Sequence, residues 1–369
     1  MEPIFKKLKK SLKNEYAFSL DDQDNPYAVT KWIDSGCYIL NAALSDGDIF
    51  KGIPVGKRII VAGPSGTAKS YFIMYLLKAY IEKQANPYVV FFESEGASTT
   101  NMAFDFGIPQ DKIAIFPVQS VESFRTQVTT LLDEIAEMRL KEKDNPPNFI
   151  IVLDSLGMLG TEKEYKDAVS GSEKADMTRA KLIRSVFRLI TLKLSLTQTT
   201  LIMANHTGAN IGSMSPLPVM GGGDGVRYSS DVILMLSKAK EKEGTSHIGA
   251  NISLRVDKSR YQPEGNKVKI TLLFQKGLFK YSYLLDLGIE FGIIKKEGNS
   301  YVLPDGTKKM RKELIKNADQ YFIGTVLDKL QESIYNNFKF GGEKQLVADG
   351  EEGSFETIDV DTEGEENGD

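Results

Sequence analysis

The stretch at residues 63–70 of this 369-residue chain, Gly-Pro-Ser-Gly-Thr-Ala-Lys-Ser, has the residue types needed to bind a polyphosphate. It lies between the apolar run 58–62 and an apolar helical pattern at 70–84. A glycine-rich turn in that position presents backbone N–H groups to phosphate oxygens. We expect Lys69 to reach the β- and γ-phosphates of a nucleotide and Ser70 to offer its hydroxyl to Mg²⁺. The backbone around the phosphates is then expected to come from Gly63, Pro64, Ser65, Gly66, Thr67 and Ala68.

Ala68 stands where such loops usually have glycine, which is tolerable if its φ angle is negative. The alternative for the whole stretch is a strand-to-helix turn that binds no nucleotide. The apolar strand before it and the helix after it favour the nucleotide.

Two strand ends carry carboxylates that could complete this site. Asp154 follows the apolar run 148–153, and a carboxylate there can hold the water shell of Mg²⁺. Its alternative role is to cap the next turn. Glu93 and Glu95 end the run 88–92 and face the same side, because side chains alternate along a strand. In a parallel sheet this strand end lies next to the γ-phosphate, so either glutamate is a candidate for activating the attacking water.

The apolar runs predict the elements that position these residues. Runs at 58–62, 88–92, 112–116, 148–153 and 200–204 alternate with helical patterns at 70–84, 121–141 and 175–196. Strands that alternate with helices form a mostly parallel sheet covered by helices on both faces, so the fold class is α/β. Later runs at 231–237, 250–257 and 267–274 follow one another without long helices and predict an antiparallel extension of the sheet.

The two ends of the chain differ from this core. Residues 4–12 place apolar side chains on one helical face, opposite four lysines. Docking on a neighbouring subunit fits this short helix better than membrane binding. Residues 349–369 carry ten acidic and no basic side chains, so residues 1–348 carry a net charge of +6 although the whole chain carries −4. This tail is either a disordered solubility segment or a competitor of nucleic acid for a basic surface.

The composition excludes several kinds of protein. No apolar run is long enough to cross a bilayer, and no secretory signal is expected. The single cysteine, Cys37, cannot form an internal disulfide, and two histidines, His206 and His247, are too few for a histidine-rich metal site. A reducing cytoplasm is the simplest compartment.

At these motifs the chain resembles the RecA recombinase family, and most closely the UvsX-type recombinases of large tailed bacteriophages. The likeness extends over about residues 29–310. The segments that carry it are 29–36, 40–44, the phosphate loop with its non-glycine residue before the lysine, Ser94-Glu95, Asp154-Ser155-Leu156 and Ala175-Asp176-Met177-Thr178-Arg179-Ala180-Lys181.

The resemblance implies roles for individual residues. Glu95, rather than Glu93, is then the residue that polarises water, and His206, at the end of Ala204-Asn205-His206, is a sensor of the γ-phosphate. Lys258 and Arg260 resemble cations that reach across a subunit interface to the neighbour's phosphates; a solvated strand end is the alternative. Tyr281 resembles an aromatic residue that stacks on adenine, with core packing as the alternative.

The resemblance also implies two DNA-contacting loops, at about 160–178 and 207–226. The second loop follows the sensor directly, so ATP could order it over a strand, and its glycine amides can hold phosphates without reading sequence. The residues expected to contact DNA are Ile211, Gly212, Met214, Gly222 and Gly223 of this loop and Lys181, Arg184 and Arg188 of the preceding helix. For the three helical cations the alternative is an exposed helix face.

The sequence therefore predicts an α/β, RecA-type P-loop NTPase core with a mostly parallel sheet flanked by helices. The expected divisions are a subunit-contact segment at 1–28, the core at 29–281, a small α-rich domain at 282–345 and a disordered acidic tail at 346–369. The resemblance implies a DNA-dependent ATPase that uses ATP and Mg²⁺ and forms a helical filament on single-stranded DNA for pairing with double-stranded DNA, assisted by a single-strand-binding protein and a loading mediator. The alternatives are a hexameric helicase and a nucleotide-dependent scaffold that does not bind DNA.

Overall fold

The computed structural model describes residues 3–13, 17–18, 25, 27–96, 99–170, 178–208, 219–238, 249–273 and 277–341. Up to the middle of the core, its elements are α1 (Pro3–Ser11), β1 (Trp32–Ile33), α2 (Tyr38–Leu44), β2 (Ile53–Pro54), β3 (Arg58–Gly63), α3 (Lys69–Lys83), β4 (Pro87–Glu93), α4 (Thr99–Asp105), β5 (Ile113–Pro117) and α5 (Val121–Lys141).

The second part of the core contains β6 (Asn148–Asp154), α6 (Glu162–Ser170), α7 (Arg179–Leu196), β7 (Thr200–Gly208), β8 (Val219–Met220), α8 (Asp224–Ser229), β9 (Val232–Lys238), β10 (Gly249–Ser259), β11 (Lys267–Leu273) and β12 (Gly277–Leu278). The chain continues through α9 (Leu284–Glu290), β13 (Lys295–Glu297), β14 (Ser300–Val302), β15 (Lys308–Met310), α10 (Arg311–Lys316), α11 (Ala318–Phe322) and α12 (Leu327–Phe338). Short 3₁₀ turns lie at Gln110–Lys112 and Leu156–Met158.

The main sheet has ten strands within the described residues. Nine of them lie side by side in the order β12-β11-β10-β9-β3-β7-β6-β4-β5, and β8 pairs with the end of β7. The six strands from β9 to β5 in this order are parallel, whereas β10, β11 and β12 are antiparallel. The predicted α/β class and the antiparallel extension are therefore confirmed.

Helices cover both faces of the parallel strands, as continuous apolar runs require. Alternate residues of β3 show this directly: Ile59 and Val61 belong to the buried cluster under α3, while Ile60 and Ala62 belong to the cluster under α5 and α7. All six residues of β3 are buried. The strand is thus packed on both faces, which fixes the point from which the loop at its carboxyl end begins.

The terminal segments match the sequence predictions only in part. Helix α1 begins at Pro3 and leaves Ile4, Phe5 and Leu8 exposed. Helices α9 to α12 form the predicted α-rich region, but strands β13, β14 and β15 form an additional antiparallel sheet there. These strands are only three residues long, and β13 and β15 each begin with two lysines, so no alternating apolar pattern is long enough to reveal them. The domain boundaries stay predictions, and the acidic tail at 346–369 lies outside the described residues. Of the helices that the structure describes, none combines the length and apolar character that crossing a membrane requires.

Candidate nucleotide site

The phosphate loop leaves β3 at Gly63 and enters α3 at Lys69. Lys69 is buried, and its ammonium donates to the carbonyl oxygens of Gly63 (3.1 Å) and Pro64 (2.9 Å). Gly63 has no room for a side chain, since a Cβ atom there would lie 2.5 Å from the carbonyl oxygen of Leu236. The lysine is therefore folded back along the loop, in reach of any anion that the loop binds.

Ala68 does not have the negative φ expected for a non-glycine residue. Its φ is 61° and its ψ is 31°, so the backbone is left-handed at the residue that immediately precedes α3. This conformation is strained for any residue with a Cβ atom. The condition under which alanine would be tolerated without strain, a negative φ, is therefore not met.

The strain predicts that Ala68→Gly stabilises the protein. We expect the free energy of unfolding to rise by about 0.5–1 kcal/mol, because glycine adopts positive φ without steric cost. Chemical denaturation of the two proteins measures the difference. Ala136→Gly, in the interior of α5, is the matched control and should lower the free energy of unfolding by about 0.5–1 kcal/mol. If Ala68→Gly lowered the free energy of unfolding as much as Ala136→Gly does, the left-handed conformation of Ala68 would be contradicted.

Asp154 lies at the end of β6, directly opposite Glu93 of β4. It is buried and accepts a hydrogen bond of 2.7 Å from the Ser70 hydroxyl. Burial raises the pKa of Asp154 above its ordinary value, and the neighbouring carboxylates of Glu95 and Glu93 add to this effect. Ser70 and Asp154 therefore present hard oxygen atoms in a place that favours an additional cation, which fits Mg²⁺ held with a nucleotide.

The two candidate glutamates have different partners. The Glu93 carboxylate accepts from the backbone N–H groups of Glu95 (2.8 Å) and Gly96 (3.0 Å). The Glu95 carboxylate accepts from the Ser155 hydroxyl (2.6 Å) and lies 2.7 Å from Nε2 of His206. Glu93 thus shapes the backbone, whereas Glu95 faces the cleft beside Lys69.

The pKa of Glu95 lies below its ordinary value. Burial acts in the opposite direction, but the hydrogen bonds from Ser155 and His206 and the charge of Lys69 outweigh it. The pKa of Lys69 is lowered by burial, against the opposing effect of Glu95 and Asp154. Glu95 is therefore ionised at neutral pH and able to accept a proton or a hydrogen bond from water.

These side chains line one cleft of about 450 Å³ at the carboxyl edge of the parallel strands. That volume lies within the range of small-molecule sites. The residues that line it are Ser65, Gly66, Ala68, Lys69, Ser70, Tyr71, Glu95, Met102, Asp154 and His206. The structure thus brings the predicted phosphate loop, metal-binding pair, water-activating glutamate and sensor together in one place.

His206 connects this cleft to the second predicted DNA loop. Its backbone carbonyl accepts from the N–H of Gly221, and the Asn205 side-chain amide donates to the Gly221 carbonyl (2.8 Å). Gly222 and Gly223 follow with φ angles of 93° and 73°. The predicted DNA contacts Ile211, Gly212 and Met214 lie outside the described residues.

The three predicted cations of α7, Lys181, Arg184 and Arg188, are exposed. The opposite face of the helix is buried through Ile183, Val186 and Phe187. This arrangement leaves the charged face available to a polyanion, and DNA contact there stays a prediction.

Lys258 and Arg260 do not belong to the cleft of their own protomer. Ser259 pairs with Val232, and Val232 pairs with Ile59, which lies near the start of β3 rather than at its phosphate-loop end. The two cations therefore lie at the opposite edge of the sheet. Lys258 donates to the carbonyls of Arg227 (2.6 Å) and Tyr228 (3.0 Å), and Arg260 pairs with Asp231 while its side chain stays 55% exposed.

Tyr281 does not have the role that the resemblance implies. Its side chain is buried, its hydroxyl donates to Asp319, and its ring packs against Tyr38 and Phe322. A ring packed in this way is part of the core, as the core-packing alternative predicts. The apolar residues around Tyr281 in the sequence suit either role, and sequence reasoning chose the wrong one.

Sequence reasoning missed the network that holds Glu95. The Ser94 hydroxyl donates to the Ser155 carbonyl, and the Ser155 N–H donates to the Ser94 hydroxyl, both at 2.8 Å. Ser155 is fully buried, and its own hydroxyl contacts Glu95. The only signal was that both serines follow strand ends next to acidic residues, and this pattern is too short to identify a contact.

Comparisons with known proteins agree with this geometry. A family model of the RecA N-terminal domain matches residues 1–279. The recombination and repair protein of Enterobacteria phage T4 is 32% identical over 283 residues, which cover 77% of this chain and 70% of that protein. Protein RecA of Rhodococcus opacus (strain B4) is 25% identical over 323 residues, or 86% of each chain, and protein RecA of Mycobacterium sp. (strain KMS) is 26% identical over 294 residues.

The family model covers more than two thirds of the chain and includes every element that lines the cleft. The similarity to the phage protein exceeds the similarity to the bacterial proteins, as the sequence motifs indicated. This chain belongs to the RecA family.

Proposed function

We propose that the chain is an ATP-dependent recombinase that forms a helical filament on single-stranded DNA and hydrolyses ATP during homologous pairing and strand exchange. The observation that carries the proposal is the position of His206. Its side chain contacts Glu95 in the nucleotide cleft, and its backbone is bonded to the glycine segment that ends the second predicted DNA loop. One residue thus adjoins both the hydrolytic site and the DNA site.

In the nucleotide cleft, the phosphate loop binds the triphosphate through its backbone N–H groups, and Lys69 neutralises the β- and γ-phosphates. Ser70 and Asp154 would hold Mg²⁺, which would withdraw negative charge from the phosphate oxygens. Glu95 orients a water molecule and accepts its proton. Ser155 fixes the glutamate, and His206 exchanges its contact with Glu95 for one with the γ-phosphate.

On the DNA side, the amides of Gly212, Gly222 and Gly223 bind backbone phosphates, and Ile211 or Met214 separates bases. Lys181, Arg184 and Arg188 extend this contact along α7. None of these contacts reads a base sequence, which suits a protein that must bind any single strand and then test double-stranded DNA for a match. A single-strand-binding protein and a loading mediator are expected partners, because such a filament must displace other proteins from the strand. The proposed site of action is the cytoplasm.

The test is ATP hydrolysis with and without single-stranded DNA, together with electron microscopy of the complex. We expect DNA to stimulate turnover, open helical filaments to form with a slowly hydrolysed ATP analogue, and DNA affinity to fall steeply with salt. Closed rings would indicate the hexameric helicase. Turnover that is indifferent to DNA, with no DNA binding at low salt, would indicate the scaffold.

The opposite-edge position of Arg260 predicts that active sites are shared between protomers. Arg260→Ala and Lys69→Ala should each be nearly inactive alone, because one lacks the cation that completes the neighbour's site and the other lacks its own phosphate contact. In an equal mixture about a quarter of the interfaces combine an intact loop with an intact Arg260, so up to about a quarter of the DNA-dependent turnover should return.

The matched control for this mixture is Lys69→Ala with Glu95→Gln. Lys69 and Glu95 lie in the same cleft of one protomer, so every cleft in this mixture lacks one of the two residues and no neighbour can supply it. No recovery is expected. Absence of recovery in the Arg260 mixture as well would contradict the shared site.

A further inference from the structure

Arg179, the first residue of α7, makes its hydrogen bonds within the described residues to backbone carbonyls. Its guanidinium donates to the carbonyl oxygens of Leu159 (2.7 Å), Leu156 (3.0 Å) and Gly157 (3.0 Å). The planar guanidinium has donors in a fixed arrangement, so three such bonds determine the position of the acceptors as well as of the arginine. Arg179 therefore fastens the start of α7 to the 3₁₀ turn Leu156–Met158.

This turn directly adjoins both partners of Glu95. It follows Ser155, whose hydroxyl donates to the Glu95 carboxylate. It also packs on the sensor, because a Cβ atom built on Gly157 would lie 3.4 Å from Cδ2 of His206 and 3.4 Å from Oδ1 of Asn205. A shift of the turn would move Ser155 and His206 together, and Glu95 would lose its alignment.

Arg179 also belongs to α7, whose exposed face carries the predicted DNA-binding cations. Lys181 and Arg184 follow Arg179 by less than two helical turns, and the buried face of the helix is packed through Ile183 and Val186. A packed helix moves as a rigid unit rather than bending residue by residue. A DNA strand that binds along the charged face of α7 and moves the helix would therefore also move Arg179.

We propose that Arg179 is a positioning residue that holds Ser155 and His206 against Glu95 and thereby makes ATP hydrolysis depend on DNA bound along α7. The inference rests on the proposed function. Arg179 itself is not expected to contact DNA, because its guanidinium is directed to the carbonyls of Leu156, Gly157 and Leu159.

The test is the steady-state kinetics of Arg179→Ala in the full chain with saturating single-stranded DNA. We expect kcat to fall roughly ten- to a hundredfold, as for a displaced catalytic group, with an unchanged KM for ATP. The DNA affinity and its salt dependence should also be unchanged, whereas loss of a phosphate contact would reduce the slope of log affinity against log salt by about 0.7.

Two further variants separate positioning from a general structural effect. The lysine in Arg179→Lys can still donate to one or two of the three carbonyl oxygens, so its kcat should lie between those of Arg179→Ala and the wild type. Lys193→Ala is the matched control on the same helix, since Lys193 pairs with Asp133 on the surface and lies outside the network; its kcat, KM and DNA affinity should equal those of the wild type. If Arg179→Ala does not fold, as judged by its thermal unfolding, Arg179→Lys decides by the same measurements.

The outcomes are distinct. If DNA stimulates ATP hydrolysis equally in the wild type and in Arg179→Ala, the positioning role is overturned but the proposed function stands. A reduced salt slope in Arg179→Ala also overturns it and makes Arg179 a DNA contact. A wild type that DNA does not stimulate overturns the proposed function itself. A selective loss of kcat that Arg179→Lys partly restores supports the inference.

Discussion

Replacing Glu95 by glutamine is expected to slow ATP cleavage by about 10²–10⁴-fold while ATP still binds, because a general base contributes that much to a rate. The amide has nearly the same shape as the carboxylate and can still accept from Ser155, so the cleft keeps its structure. It cannot take a proton from water. ATP turnover in the presence of DNA and equilibrium binding of a labelled ATP analogue measure the two effects, and the filaments should persist longer than those of the wild type.

Glu93→Gln is the control for this experiment, because Glu93 ends the same strand but binds the backbone N–H groups of Glu95 and Gly96. Its turnover should fall less than that of Glu95→Gln. A larger loss in Glu93→Gln would exchange the roles of the two glutamates. Loss of nucleotide affinity in Glu95→Gln would indicate that Glu95 is a structural residue.

Lys69→Ala should abolish measurable hydrolysis, with a loss of at least about 10²–10³-fold, as when one preorganised charge contact to the transition state is removed. Nucleotide affinity should fall as well, because Lys69 is the basic side chain that the structure brings against the carbonyls of the loop. ATP turnover, measured with and without DNA, gives the loss of hydrolysis. Binding of an ATP analogue, measured under the same two conditions, gives the loss of affinity.

The matched control is Lys83→Ala, which removes the last lysine of the same helix. Lys83 pairs with Asp34 at the surface and lies at the far end of α3 from the cleft, so hydrolysis should be unaffected. Unchanged turnover in Lys69→Ala would remove the assignment of residues 63–70 as a phosphate loop, and with it the rest of the site.

Much of the core could be predicted because its signals are long and local. The strand β3 and the helices α3 and α5 were predicted to within two residues at each end, since continuous apolar runs and helical periodicity both extend over many residues. The positions of Asp154 and Glu95 followed from a simple rule, namely that the carboxyl ends of neighbouring parallel strands meet at one edge.

The remaining features depend on contacts between distant residues. The hydrogen bond from Ser155 to Glu95 and the three bonds of Arg179 join segments that no sequence period relates. The positive φ of Ala68 lies at the turn into α3, and an alanine in the sequence gives no sign of a left-handed backbone. Tyr281 was misassigned because burial depends on α11, which contributes Phe322 and Asp319 to its surroundings.

The nucleotide cleft and the Lys258–Arg260 cations lie at opposite edges of one sheet. In the proposed head-to-tail filament, each cleft except the last would be closed by the cations of the next copy. One end of the polymer would then expose a nucleotide cleft without a neighbour's cations, and the other end would expose Lys258 and Arg260 without a neighbouring cleft. Addition and loss of protomers are chemically different events at these two ends, which gives the polymer a built-in direction of growth.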